Sequence, residues 1–234
     1  MKSLIRNALI AAVIGLSAPL CRAADSVGPM PPNEVRVGGY FIFYNMSAQN
    51  LYGQYVVPGL SATIKDVQTP YFAYERYLPW HLSLELTLGV PPLTQIYGKG
   101  PATVGSVPFN NQELLTARWF APSMLLNYTL FDESHRLRPY VGVGVTYVNF
   151  YDRQITAGAE AVVGGPTRVS LTSSIGPTAT LGLSYRVAHR WSVYASYSIS
   201  RVRTLLTTDT AGVYRFSHVS FAPGALVVSA GYAF

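Results

Sequence analysis

From residue 34 onward, bulky apolar residues alternate one by one with small or polar ones along most of the chain. In the stretch 191–200, Trp191, Val193, Tyr197 and Ile199 share a face with Ala195, while four serines and Tyr194 take the other. Leu82, Leu84, Leu86 and Leu88 alternate with Ser83, Glu85, Thr87 and Gly89, and Val141, Val143, Val145 and Tyr147 with Gly142, Gly144 and Thr146. At the end of the chain, Leu226, Val228, Tyr232 and Phe234 oppose Ser229, Gly231 and Ala233. Side chains of a strand point to opposite faces in turn. This period of two predicts eight strands, near 34–45, 65–78, 80–91, 114–131, 138–151, 169–187, 191–202 and 213–234.

The connections alternate as well. Short turns are expected at Leu78-Pro79-Trp80, at Asp132 to Arg138 and at Val187 to Arg190, and long Gly- and Pro-rich loops near 46–64, 92–113, 152–168 and 203–212. Outer-membrane barrels show this asymmetry, with the short turns on the periplasmic side. Eight strands then put both termini in the periplasm. Trp80, Tyr140, Trp191, Tyr232 and Phe234 fall at the predicted turn-side strand ends, where an interfacial aromatic girdle belongs. A soluble barrel would need its bulky face inward, filling a core or holding a ligand. Here that face has nothing to pack against, so it points out to lipid. The predicted fold class is all-β: an eight-stranded antiparallel transmembrane β-barrel over residues 34–234, both termini periplasmic.

Composition narrows the setting. Only 12% of residues are charged, and no later stretch reaches 18 uninterrupted apolar residues, so spanning helices are excluded and the closed barrel remains. Residues 1–23 read as an export signal: Lys2 and Arg6, an apolar run from Ala8 to Leu20, and a small-residue site at Ala23-Ala24. Cleavage after Ala23 leaves Cys21 at −3, which is acceptable, whereas cleavage after Ala24 would leave Arg22 there. A lipoprotein signal would anchor through Cys21, but Leu20 is too large for such a site. Residues 24–33 would be a short periplasmic segment. Removing the signal takes the only cysteine and three of the 17 basic residues, leaving 14 against 11 acidic, or +3. That modest surplus makes no stripe for nucleic acid.

The residues also carry a resemblance. Ala121-Pro122-Ser123-Met124, Arg138-Pro139-Tyr140-Val141-Gly142-Val143-Gly144-Val145 and the terminal Ser229-Ala230-Gly231-Tyr232-Ala233-Phe234 below Pro223 occur in an order and spacing similar to the outer membrane protein W (OmpW) family. Leu84-Glu85-Leu86 leading to Pro91, and Arg190-Trp191, fit as well. The chain departs from the family at Ala222, Gly224 and Ala233. Thr87 and Ser198, both expected inward, stand where a relative carries bulky apolar side chains that narrow its channel. The resemblance implies an outer-membrane protein of a Gram-negative bacterium, set among lipid and lipopolysaccharide. It implies a narrow apolar passage taking small hydrophobic molecules and releasing them sideways. Some relatives instead serve as phage or bacteriocin receptors, which implies the rival: a closed structural or surface-receptor barrel binding partners through its loops.

Parity supplies the site residues. Tyr40, Ile42 and Tyr44 on the first strand face inward, with Leu125, Val148, Phe150 and Tyr194 from others; they could line an apolar route or simply fill the lumen. Glu75, Glu85, Arg118 and Arg186 fall where parity can place them inside, and opposite charges in a narrow lumen would pair. Pro91, Pro92, Pro122 and Pro223 lie in or near strands, lack the N–H a ladder uses, and either weaken the wall or end the regular sheet. His218 and Ser220 share a strand face as a lipid A deacylase pair would, but no acidic residue follows Asp209 to orient the base, and Phe221 replaces that family's Asn. With no metal-ligand spacing and no phosphate loop, neither an enzyme nor a cofactor is expected. Mass spectrometry of the protein recovered from outer membranes should find Ala24 at its N-terminus; an acylated Cys21 would refute that cleavage site.

Overall fold

The computed structural model describes residues 30–48, 52–53, 59–101, 103–104 and 107–234. The signal and most of the segment 24–33 therefore lie outside the described residues, as does part of the loop 46–64. Eight antiparallel strands close into a barrel. They are β1 (Asn33–Ala48), β2 (Ser61–Ile64 and Val67–Tyr77), β3 (Leu82–Gly89 and Leu93–Lys99) and β4 (Glu113–Phe120 and Ser123–Thr129). They continue as β5 (Leu137–Ile155), β6 (Thr167–Leu171 and Ser174–Arg186), β7 (Trp191–Ser200 and Val202–Thr210) and β8 (Val213–Ala233). A seven-residue helix, α1 (Ala157–Val163), follows β5; Thr156 caps its start and left-handed Gly164 its end.

Each strand pairs with its neighbours in sequence, and β1 closes on β8 in unbroken register from Glu34↔Ala233 to Ala48↔Val219. Closure leaves no edge, so backbone polar groups in the lipid-facing wall are satisfied within it. Both the start of β1 and the end of β8 lie at the turn end, where Phe234 N–H donates to the Asn33 carbonyl at 2.8 Å. The outward face carries the aliphatic set: Leu84, Leu86, Val141, Val143, Leu181 and Val228 are all exposed. Inward positions are small or polar. Gly182 and Gly231 leave room where Tyr140 and Glu34 lie flat against the wall, space that a Cβ would occupy.

The wall is taller than its sequence suggests. Residues 92–113 are not one long loop, because Leu93–Lys99 and Glu113–Phe120 pair as strands beyond Pro91-Pro92. Likewise 203–212 is mostly the arm of a β7–β8 hairpin, running to Thr210↔Val213. Tyr140 is a second correction: it is buried inside the barrel and belongs to no girdle, whereas Trp80 and Trp191 stand exposed at the turn end.

Above mid-height the ladder divides. The β1–β2 pairing stops at Ile42↔Val67 and the β5–β6 pairing at Val148↔Ser174. Toward the loops, the upper parts of β2 to β5 form one sheet, and those of β6 to β8 with β1 form the other. Side chains bridge the two seams: Asp66 accepts from the Tyr44 N–H at 3.0 Å, and Arg153 donates to the Leu171 carbonyl at 3.4 Å. An outward Val143→Arg substitution places a cation in hydrocarbon and should cost about 2–4 kcal/mol. Val143→Leu should be near neutral. Unfolding in urea from lipid vesicles checks both.

Candidate functional site

The lumen is layered, and toward the turn end one layer is ionic. Glu34 and Arg36 alternate with the outward Val35 and Val37 on β1, so both point into the barrel and are buried. The Arg36 guanidinium lies 3.1 Å from Glu34 and 3.5 Å from Glu85, contacts Glu75 as well, and stacks 3.6 Å over the Tyr194 ring. One guanidinium cannot neutralise three carboxylates. Neutral donors supply further bonds: Tyr71 to Glu85 at 2.7 Å, Asn127 to Glu85 at 2.6 Å, Ser83 to Glu75 at 2.5 Å and Tyr77 to Glu34 at 3.1 Å. Beneath this layer, toward the chain's start, Arg186 approaches the Met30 sulfur at 2.9 Å and Arg138 does so at 3.8 Å. The Met30 N–H donates to Glu133 in the β4–β5 turn.

A belt of hydroxyls follows. Ser123, Thr146, Thr178 and Ser200 link β4 to β7 through contacts of 2.6, 2.5 and 2.8 Å. Ser198 donates to Thr180 at 3.0 Å, and Thr87 is half-buried in the same belt, opposite Ser123. Above the belt opens an apolar cavity of about 160 Å³ to which all eight strands and α1 contribute. Its centre is the buried trio Val148, Val202 and Val219, against which Tyr44, Trp119 and Phe150 pack. Trp119 stands edge-on to Tyr44, with ring centroids 6.5 Å apart, and donates its indole N–H to Thr94 at 2.9 Å.

The expected site residues thus separate by height. Tyr40, Ile42, Tyr44, Val148 and Phe150 line the cavity. Leu125 and Tyr194 are buried but do not line it: Leu125 is level with Glu85 across the β3–β4 ladder, and Tyr194 belongs to the ionic layer. Glu75 and Glu85 meet there, while Arg186 lies nearer the turn end. Arg118 is a correction. The inward face of β4 keeps the same parity through Ala121-Pro122 (Leu115, Ala117 and Trp119 below the break in sequence, then Ser123 and Leu125), so Arg118 points out of the barrel. It pairs with Asp152 at 3.3 Å, both side chains more than two-fifths exposed. Glu34 and Arg36, the other charged members of the cluster that holds Glu75 and Glu85, were passed over by sequence reasoning although they share a face with Tyr40.

Three of the prolines mark an interruption between β3 and β4. The lower ladder ends at Thr87↔Ser123 and the upper one resumes at Leu93↔Arg118, with one more residue on β3 than on β4. Pro91, Pro92 and Pro122 occupy the interval, and Arg118 reaches across from outside to the Pro91 carbonyl at 3.3 Å. A recess of about 10 Å³ opens there, sharing Tyr40, Trp119 and Ala121 with the main cavity. That is room for about one water. Pro223 lines the cavity from β8, in register with Tyr44, beside the short interval where β7 makes no rungs to β8.

Removing the guanidinium would strand three buried carboxylates, so Arg36→Met should destabilise the barrel by about 3–5 kcal/mol. Adding Glu75→Gln and Glu85→Gln should recover part of the loss in vesicle unfolding measurements.

Comparison with known proteins agrees with this architecture. Outer membrane protein W of Salmonella typhi is 26% identical over 142 residues, 58% of this chain and 66% of that protein, just under two thirds of its length. The dibenzothiophene metabolism operon protein DoxH of Pseudomonas sp. strain C18 is 27% identical over 146 residues, 62% of this chain and 65% of that one. In fold, the crystal structure of the outer membrane protein OprG from Pseudomonas aeruginosa superposes with a TM-score of 0.78 at 18% identity, covering 90% of this chain and 99% of that one. The OmpW family model matches residues 35–234. The chain therefore belongs to the OmpW family: a non-enzymatic β-barrel of the Gram-negative outer membrane.

Proposed function

We propose that this barrel passively admits small hydrophobic molecules through its loop end and releases them sideways into the bilayer. The short turns and both termini face the periplasm, and residues 1–23 are removed on export. The observation that carries this reading is an apolar cavity standing on a buried ionic layer. A solute entering from the loops meets aliphatic and aromatic groups, gains by leaving water, and finds no apolar path onward through the Arg36 layer. The remaining direction is lateral. The β3–β4 interruption adjoins the cavity through Ala121 and lacks the rungs that hold the wall elsewhere. The name of DoxH, a dibenzothiophene metabolism operon protein, supports an apolar cargo.

The recess leaves space for about one water, so the wall must widen before a solute leaves. The same observation favours the rival, a shut receptor barrel whose loops bind phage or bacteriocin. Liposome flux of apolar and charged solutes separates the two. Apolar solutes should cross only with the protein present, and Ala121→Trp, which fills the space beside the interruption, should slow them several-fold without unfolding the barrel. Equal flux with and without the protein, or an unaltered rate in Ala121→Trp, overturns lateral release.

A further inference from the structure

Among the described residues that line the cavity, one carries a charge: Arg215. It sits on β8 three residues past the Ala211-Gly212 turn of the β7–β8 hairpin, where the left-handed backbone reverses the chain. Alternation sends Arg215 inward with Ser217 and Val219, while Tyr214 and His218 are exposed. Its guanidinium donates to the Thr210 hydroxyl at 3.1 Å, and that hydroxyl is 2.7 Å from Thr167 on the neighbouring strand. Arg215 is thus braced on a hydroxyl ledge at the loop-side rim.

No carboxylate among the described residues pairs with it. Asp209, the acid nearest in sequence, is turned to the hairpin backbone and accepts from Gly212 N–H at 2.9 Å. The stretches 49–51, 54–58, 102 and 105–106 contain no acidic residue that could serve. A half-buried cation beside apolar surface loses hydration that a neutral hydroxyl only partly restores. Guanidinium has five N–H donors in a fixed fork that matches a carboxylate.

From the placement of this lone cation above an apolar cavity, we infer that the site takes small amphipathic monocarboxylates, with the head on Arg215 and the tail down against Val219, Val202 and Val148. The inference rests on the apolar-solute reading above and narrows it to molecules bearing one anionic group. Arg215 supplies the attraction that the valines cannot, and it fixes the entering molecule head-outward. Thr208, which also lines the rim, stands across the hairpin ladder in register with Arg215.

The test is calorimetric titration of the mature protein in nanodiscs with 2-naphthoate and its neutral methyl ester, subtracting empty nanodiscs. The acid should bind about tenfold more tightly than the ester, the size expected of a charge-assisted hydrogen bond. Arg215→Gln should erase that preference by weakening the acid about tenfold and the ester much less, and Arg215→Lys should keep part of it. Heat-modifiable gel mobility establishes that each variant is folded. Equal affinities in the natural protein, or equal weakening of both ligands by Arg215→Gln, overturn the inference alone. Failure of both ligands to bind overturns it together with the apolar-solute reading.

Discussion

A wall one residue thick separates hydrocarbon from the lumen, and every amide in it must find its partner within the wall. That constraint explains the closed ladder of the lower half, where all eight strands carry rungs and β1 meets β8 without a slip. It also explains why interruptions appear higher up, three of them bridged by a side chain: Asp66 at one seam, Arg153 at the other, Arg118 at the proline interval. The lumen solves the complementary problem. Too narrow for water to solvate buried charge freely, it clusters its carboxylates around Arg36 and leaves the space above them apolar.

The height of each group decides its work. Near the turn end, charge and hydroxyls lock the strands together and close the bore. At mid-height, hydroxyls pair with one another across neighbouring strands, which leaves them little affinity for a passing molecule. The main cavity lies above this belt, and there the lining turns aliphatic and aromatic. A polar floor, an apolar chamber and a rim that carries Arg215 follow one another along the barrel.

Much of this was legible in the sequence because lipid enforces a period of two. The outward leucines and valines of β3, β5 and β8 declare themselves, and Glu75, Glu85 and Tyr40 follow from the same alternation. Legibility stops where parity does. The inward set changes from odd to even on β3, between Gly89 and Thr94, because Val90-Pro91-Pro92 adds a residue; on β4 it stays odd through Ala121-Pro122. Arg118, an even position on β4, therefore falls outside the inward set, and its part in bridging the interval shows only in the structure. Glu34 and Arg36 were overlooked for another reason. Charges at the start of a strand look like a solvated rim, and only the β8 pairing reveals that β1 enters the bore at once. Arg215 lies in the predicted strand 213–234, on its inward odd set, but its partner arm 203–212 reads as loop in the sequence, which leaves Arg215 no wall to face.

The division of the upper wall into two sheets has a mechanical consequence. Above Ile42 and Val148 the described residues of the two halves share no backbone rungs; side chains join them, Asp66 to Tyr44, Arg153 to Leu171 and Trp119 against Tyr44. Each half can lean on the rigid lower ring as a petal leans on a calyx. The calibre of the chamber is then elastic, set by the tilt of two petals rather than by the fixed circumference of eight laced strands.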